Sequence, residues 1–170
     1  AYYSSKFKDA LIFSIDGGGV DNSIVASTKI YYGKLNEIKE IECPNLDFGN
    51  PYSGCGFPIS EIRPGADGIY SKHSLSYAGK IMGLCAYGTV DENWKEPFRK
   101  YYDTNDLETL LSELNLPYGY NSISGTNSYN LAATSQYIFE EKLNNLLLPY
   151  IDKYNTNVVM VGGCALNVLY

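Results

Sequence analysis

The 170-residue chain contains no run of about 18 apolar residues, so no membrane-crossing helix is expected. No apolar signal core follows Ala1-Tyr2-Tyr3-Ser4-Ser5-Lys6 at the N-terminus. Basic residues are scarce, 13 against 19 acidic, and the net charge is −6 with a pI near 4.7. That balance excludes a basic groove laid along a phosphate backbone, so nucleic acid is not an expected partner. Histidine occurs once, as His73. Neither a Ser-His-Asp triad nor a histidine-based metal site can be assembled from this chain alone, and His73 reads as a plain loop residue. The four cysteines, Cys43, Cys55, Cys85 and Cys164, form no C-x-x-C pair. A zinc ribbon is thereby excluded and a disulfide framework poorly supported, which leaves reduced thiols in a cytoplasmic protein as the expectation.

What is present is a globular composition, 45% hydrophobic and 19% charged, in a length that suits one domain with its own core. Tyrosine is abundant, 17 residues spread along the chain, and reads as core edges and compositional bias rather than a recognition surface. The chain opens on Ala1 and stops at Asn167-Val168-Leu169-Tyr170 in what reads as a helix just begun. It is therefore expected to be the central part of a larger protein.

Ala10–Ile15 is a short apolar run before Asp16-Gly17-Gly18-Gly19 and predicts a buried strand followed by a tight turn. Ser23–Tyr32 is rich in β-branched and aromatic residues, with Gly33-Lys34 as its hairpin turn, and Leu35–Glu42 then predicts a third antiparallel strand. Residues 44–72 are dense in Gly, Pro, Asn and Ser and read as a loop-rich insertion. Ser74 offers an N-cap to a helix through Ala78, Ile81, Met82 and Cys85 that stops at Gly88. Asn105-x-x-Glu108 resembles a capping box for a helix carrying Leu107, Leu110, Leu111 and Leu114. After a polar loop at 115–127, a longer helix is predicted from about Leu131 to Tyr154, kinked or ended early by Pro149. Val158–Val161 predicts a buried strand that Gly162-Gly163 turns into a helix carrying Ala165, Leu166 and Asn167.

Three motifs can carry chemistry. Asp16 followed by Gly17, Gly18 and Gly19 at a strand end suits a ligand turn, since glycines bring backbone N–H groups close to an anion and a carboxylate can hold a metal. The bland alternative is a hairpin with a surface aspartate. Gly162-Gly163 before a helix lets a nucleotide lie on backbone with a helix N-terminus beneath it, although many β–α turns use the same pair. In Ala78–Gly88, Gly79 and Gly83 stand one helical turn apart and make a flat face beside Lys80, whose charge suits a phosphate or carbamoyl oxygen. A glycine-softened helix packed on a neighbour, with Lys80 solvated, explains that pattern equally well. Cys164 at a helix start reads as a small buried apolar residue rather than a thiolate.

Taken in order, residues 1–19, 78–88 (AGKIMGLCAYG) and 158–167 (VVMVGGCALN) resemble the carbamoyltransferase family of nodulation and antibiotic O-carbamoyltransferases. The first is similar to that family's approach to an Asp-Gly-x-Gly turn, the second to its Glu-Gly-Lys-x-Met-Gly-Leu-Ala-x-Tyr-Gly, and the third to its Gly-Gly-x-Ala-Leu-Asn. Three departures stand out: Ala78 replaces the usual Glu, Cys85-Ala86 replaces Ala-Pro, and Cys164 replaces the usual Val.

The resemblance implies an α/β fold, a ribonuclease-H-like lobe of the actin-like ATPase (ASKHA) superfamily, with a mixed sheet that begins as three antiparallel strands and carries flanking helices. It implies that 1–170 is part of a single Kae1-like domain, truncated at both ends. It implies transfer of a carbamoyl group from carbamoyl phosphate, through ATP-derived carbamoyl-adenylate, to a hydroxyl of a sugar or natural product. By the same resemblance Asp16 is a ligand of a divalent metal, iron among the candidates, the histidine ligands falling upstream of Ala1. Lys80 is the catalytic residue, and Gly17, Gly18, Gly19, Met82, Gly83, Gly162, Gly163 and Asn167 face the nucleotide. The domain that makes carbamoyl-adenylate lies outside 1–170, so the fragment alone is expected to be inactive. Two alternatives stay open: a small-molecule kinase of the same fold, and a non-enzymatic Tyr-rich binding module.

Overall fold

The structure is a computed structural model and describes residues 1–21, 24–44, 46–62 and 75–170. His73 and the Ser74 cap lie outside the described residues. Two compact units emerge, Ala1–Gly49 with Lys142–Val168, and Asn50–Glu141 with Leu169–Tyr170.

The first unit holds a mixed sheet. β1 (Asp9–Asp21), β2 (Ile24–Lys34) and β3 (Glu37–Glu42) run antiparallel in sequence, and β4 (Asn157–Val161) adds parallel to β1, giving the order β3-β2-β1-β4. The sheet thus has four strands, not only the three of the opening meander. Alternation along β1 sends Leu11, Phe13 and Ile15 to one face and Ala10 and Ile12 to the other, and all five are buried. Burial of each large side chain contributes about 1.5–3 kcal/mol. On the first face Phe13 meets the Tyr150 ring edge-on at 6.3 Å, and the Tyr150 hydroxyl donates to Glu42. On the second, Tyr2, Ala10 and Ile12 cluster with Tyr31, Val159 and Val161.

Several local expectations are corrected. The β2–β3 turn is at Leu35-Asn36, with Leu35 at φ +55°, and Gly33 is inside β2. A Cβ on Gly33 would lie 2.7 Å from the Tyr2 ring, so that glycine makes room for an aromatic rather than for a turn. β4 is half-buried rather than buried, because it ends the sheet and has a hydrogen-bonded neighbour on one side only among the described residues. A single 3-10 turn, Gly163–Leu166, follows it instead of a helix.

The second unit is helical: α1 (Gly49–Gly54, from its second residue), α2 (Leu75–Leu84), α3 (Lys95–Thr104), α4 (Leu107–Glu113) and the part of α5 (Thr126–Tyr154) up to Glu141. Its core includes Tyr77, Ile81, Phe98, Leu111, Leu131 and Phe139. α1, with buried Tyr52, Cys55 and Ile59 on or after it, shows that 44–72 is not loop throughout. α4 is capped by Asp106, whose carboxylate accepts from the Thr109 N–H at 3.1 Å, while Asn105 is the left-handed residue that ends α3. The N-cap is therefore one residue later than the sequence pattern implies. α5 begins at Thr126 and runs past Pro149 to Tyr154. In the first unit Tyr150 on Phe13, and Tyr154 on Tyr32 at 5.4 Å, anchor the turn after the proline. Packing there outweighs the lost hydrogen bond. Among the described residues no helix is long and apolar enough to cross a membrane.

Tyrosine serves this core. Tyr101 donates to the Pro51 carbonyl at 2.9 Å, Tyr52 to Gln136 Oε1 at 2.6 Å, and Tyr102 to the Ser135 carbonyl at 3.2 Å, all buried. A ring that fills volume while its hydroxyl reaches a partner satisfies both demands of an interior site.

Candidate functional site

The glycine run after Ile15 is not a tight turn. β1 continues through it, and the ladder slips: Ile15 pairs with Thr28 and Gly19 with Ala26, so that Asp16, Gly17 and Gly18 oppose Ser27 alone. A bulge of this kind bends a strand and re-aims its side chains. Gly18 takes φ +140°, and the Gly17 N–H donates to Asp16 Oδ1 at 2.8 Å. Asp16 is exposed.

Other backbone closes on this corner. Gly49, at the start of α1, comes so near that a Cβ there would lie 2.6 Å from the Gly17 nitrogen. Gly162, at φ +94°, passes directly over the Ile15 carbonyl. A Cβ on Gly163 would lie 2.8 Å from Asp16 Oδ1. The two glycine motifs, remote in sequence, therefore meet at the Ile15-Asp16-Gly17 backbone. Gly49 belongs with them, and its Asp47-Phe48-Gly49-Asn50 context carries no recognisable pattern.

Cys164 follows and is buried. Its thiol is pushed up to about 12, chiefly by burial and then by the carboxylates of Asp16 and Asp47, so it stays protonated and inert. Asn167 ends the 3-10 turn in an extended conformation, its N–H donating to the Cys164 carbonyl at 3.1 Å. One four-residue turn lacks the aligned peptides of a helix N-terminus, so the expected helix dipole beneath a nucleotide is absent here.

A groove of about 230 Å³ opens beside Asp16 between β1 and β2, lined by Ser14, Asp16, Gly18, Ser27, Lys29 and Tyr31 among others. It is polar, and Lys29 is the one cation among its described lining residues. The Lys29 ammonium is 3.1 Å from Glu40 Oε2 across the β2–β3 pair. Sequence reasoning missed Lys29: its alternation with Ser27 and Tyr31 is readable in Ser-Thr-Lys-Ile-Tyr, but its place beside Asp16 depends on the register with Ser14.

Lys80, Met82 and Gly83 belong to the other unit, on α2. Lys80 is exposed, Met82 half-buried and Ile81 fully buried. Apart from adjacent residues and the backbone of α2 itself, no described atom lies within 4 Å of where a Cβ would stand on Gly79 or Gly83. Close packing on a neighbour therefore does not account for these two glycines. Among the described residues no group of three His, Cys, Asp or Glu gathers at metal-ligand spacing. Asp16 supplies one carboxylate, which by itself does not compose a metal centre.

No protein-family model matches this chain, and no curated protein matches it.

Proposed function

We propose that this chain belongs to the Kae1-like domain of an O-carbamoyltransferase, in a ribonuclease-H-like lobe of the ASKHA superfamily. The observation that carries the reading is the meeting of the Asp16 and Gly162-Gly163 corners, with Gly163 against Asp16 Oδ1. An exposed carboxylate beside close-packed backbone, at the mouth of a polar groove, suits a small ester with an anionic leaving group. In this reading the acceptor hydroxyl oxygen forms a bond to the carbamoyl carbon of carbamoyl-adenylate. AMP departs with the electrons of the broken C–O bond, and the hydroxyl proton passes to a carboxylate or water. Gly17, Gly18, Gly19, Gly162, Gly163 and Asn167 would face the ligand from this unit; the catalytic role of Lys80 and the nucleotide-facing roles of Met82 and Gly83 are proposed for α2 on the resemblance alone. Asp16 would serve a divalent metal as one of its ligands.

The test is product analysis on the complete gene product that carries this chain. With ATP, carbamoyl phosphate and a panel of hydroxyl acceptors, it should release AMP, pyrophosphate and inorganic phosphate and form a carbamate ester. D16N should abolish transfer at unchanged melting temperature. Release of ADP with a phosphorylated acceptor would replace this reading with the kinase of the same fold. Absence of any nucleotide-dependent rise in melting temperature would favour the binding module.

A further inference from the structure

We propose that Lys29 orients the ligand in the Asp16 groove: an anionic group, phosphate or carboxylate, docks on its ammonium and displaces Glu40, while a donor group at the ligand's other end meets the Asp16 carboxylate. The inference rests on the reading above only in taking this groove as the ligand site. Three observations carry it.

Lys29 and Asp16 are the cation and the carboxylate among the described residues that line the groove. Lys29 pairs with Ser14, and Asp16 is two residues further along β1, so the strand positions that carry the opposite charges are about 7 Å apart. Those two positions suit a short bipolar molecule, and the hydroxyl-bearing Ser14, Ser27 and Tyr31 share the groove's lining. Finally, the Lys29 side chain is 17% exposed whereas Glu40 is 46% exposed. The lysine is held in place and its partner is free to swing into water. A half-exposed pair of this kind is weak enough for an incoming anion to exchange with the glutamate.

Carbamoyl-adenylate has the required polarity, an NH2 donor at its carbamoyl end and a phosphate next to it. Acyl phosphates and nucleotides share this phosphate chemistry, so three probes separate the sources: inorganic phosphate, carbamoyl phosphate and AMP. Binding is measured calorimetrically on the complete gene product. K29M should weaken all three probes by about tenfold or more, and K29R should restore most of the loss. E40Q should tighten them by about two- to fivefold, because the competing carboxylate is gone. D16N should weaken carbamoyl phosphate while leaving inorganic phosphate as tight or tighter. A loss confined to AMP identifies the nucleotide as the phosphate's source, and a loss on carbamoyl phosphate with AMP unchanged identifies the acyl phosphate.

Unchanged affinities in K29M, at a melting temperature equal to wild type, overturn the inference, as does weaker binding in E40Q. Anion binding that follows Lys29 and Glu40 in a protein without carbamoyl transfer leaves the inference standing and removes the proposed function. Carbamoyl transfer that K29M leaves intact does the reverse.

Discussion

Replacing Gly162 with alanine tests the contact on which the site is built. The residue takes φ +94° and ψ 174°, a region essentially closed to side chains, which costs about 1–3 kcal/mol. The new methyl also meets the Ile15 carbonyl, with the Ile15 carbon at 2.8 Å and its nitrogen at 3.1 Å. All three atoms are backbone of a central strand, so relief requires β1 or β4 to shift, at a further cost of about 1–3 kcal/mol. The total is a large part of the roughly 5–15 kcal/mol that holds a domain together. At about 2–4 °C per kcal/mol for this chain length, the melting temperature should fall by about 10 °C. Circular dichroism reads the fall, and hydrogen exchange should place the loss of protection in Leu11–Ser14 and Val158–Val161. The neighbouring G163A supplies the contrast. Its methyl meets Asp16 Oδ1, the end of a side chain that can rotate away, so stability should change by less than about 1 kcal/mol while the carboxylate moves. A G162A protein that melts within about 1 °C of wild type would refute the close approach of these backbones.

On α2, G79A or G83A should raise stability by about 0.5–1 kcal/mol, since no described atom opposes the added methyl; weaker ATP binding in the same variants would place a nucleotide on this face. D106A should cost about 1 kcal/mol through loss of the Thr109 cap, whereas N105G should be neutral or stabilising because position 105 is left-handed at φ +55°; the opposite ranking in thermal melts would return the cap to Asn105. The Cys164 thiol, raised from 9.0 to about 12, favours the folded state fully below pH 9 and loses that contribution as pH climbs from 9 toward 12, where the unfolded chain ionises first. Stability should therefore fall across that window, less steeply in C164A. D16N should bring the thiol pKa down and speed its alkylation at pH 9, a rate that reports directly on the nearness of Asp16.

The first strand was legible as an apolar run, the second from its β-branched and aromatic residues, and the third only from its position after them, since Leu35, Ile38 and Ile41 stand three apart as in a helix; α4 was legible because four leucines share one stripe. What escaped the sequence depends on partners far along the chain. Gly33 looks like a turn until the Tyr2 ring is seen lying on it. Asn105 looks like a cap because both Asn and Asp cap helices, and only the backbone angles decide between adjacent residues. α3 went unread, although Phe98, Tyr101 and Tyr102 have helical spacing, because Pro97 interrupts the pattern at the first turn, where proline is tolerated. At the candidate site, the aspartate and both glycine motifs stood out as local patterns. The bulge that aims Asp16, the approach of Gly49 and the position of Lys29 are properties of strand register, which no local window contains.

The parallel pairing of β1 with β4 also has a consequence for biogenesis. Residues Asn50–Glu141 are contiguous and can condense as they leave the ribosome, whereas the sheet waits for the segment around Val159 to be translated. At roughly 5–20 residues per second the nascent chain carries an incomplete sheet for about 7–30 s. During that interval the flank of Ala10–Ser14 that β4 will occupy stays available to strands of other polypeptides. A ribosome that stalls before Asn157 would therefore release a product prone to aggregate and dependent on chaperones.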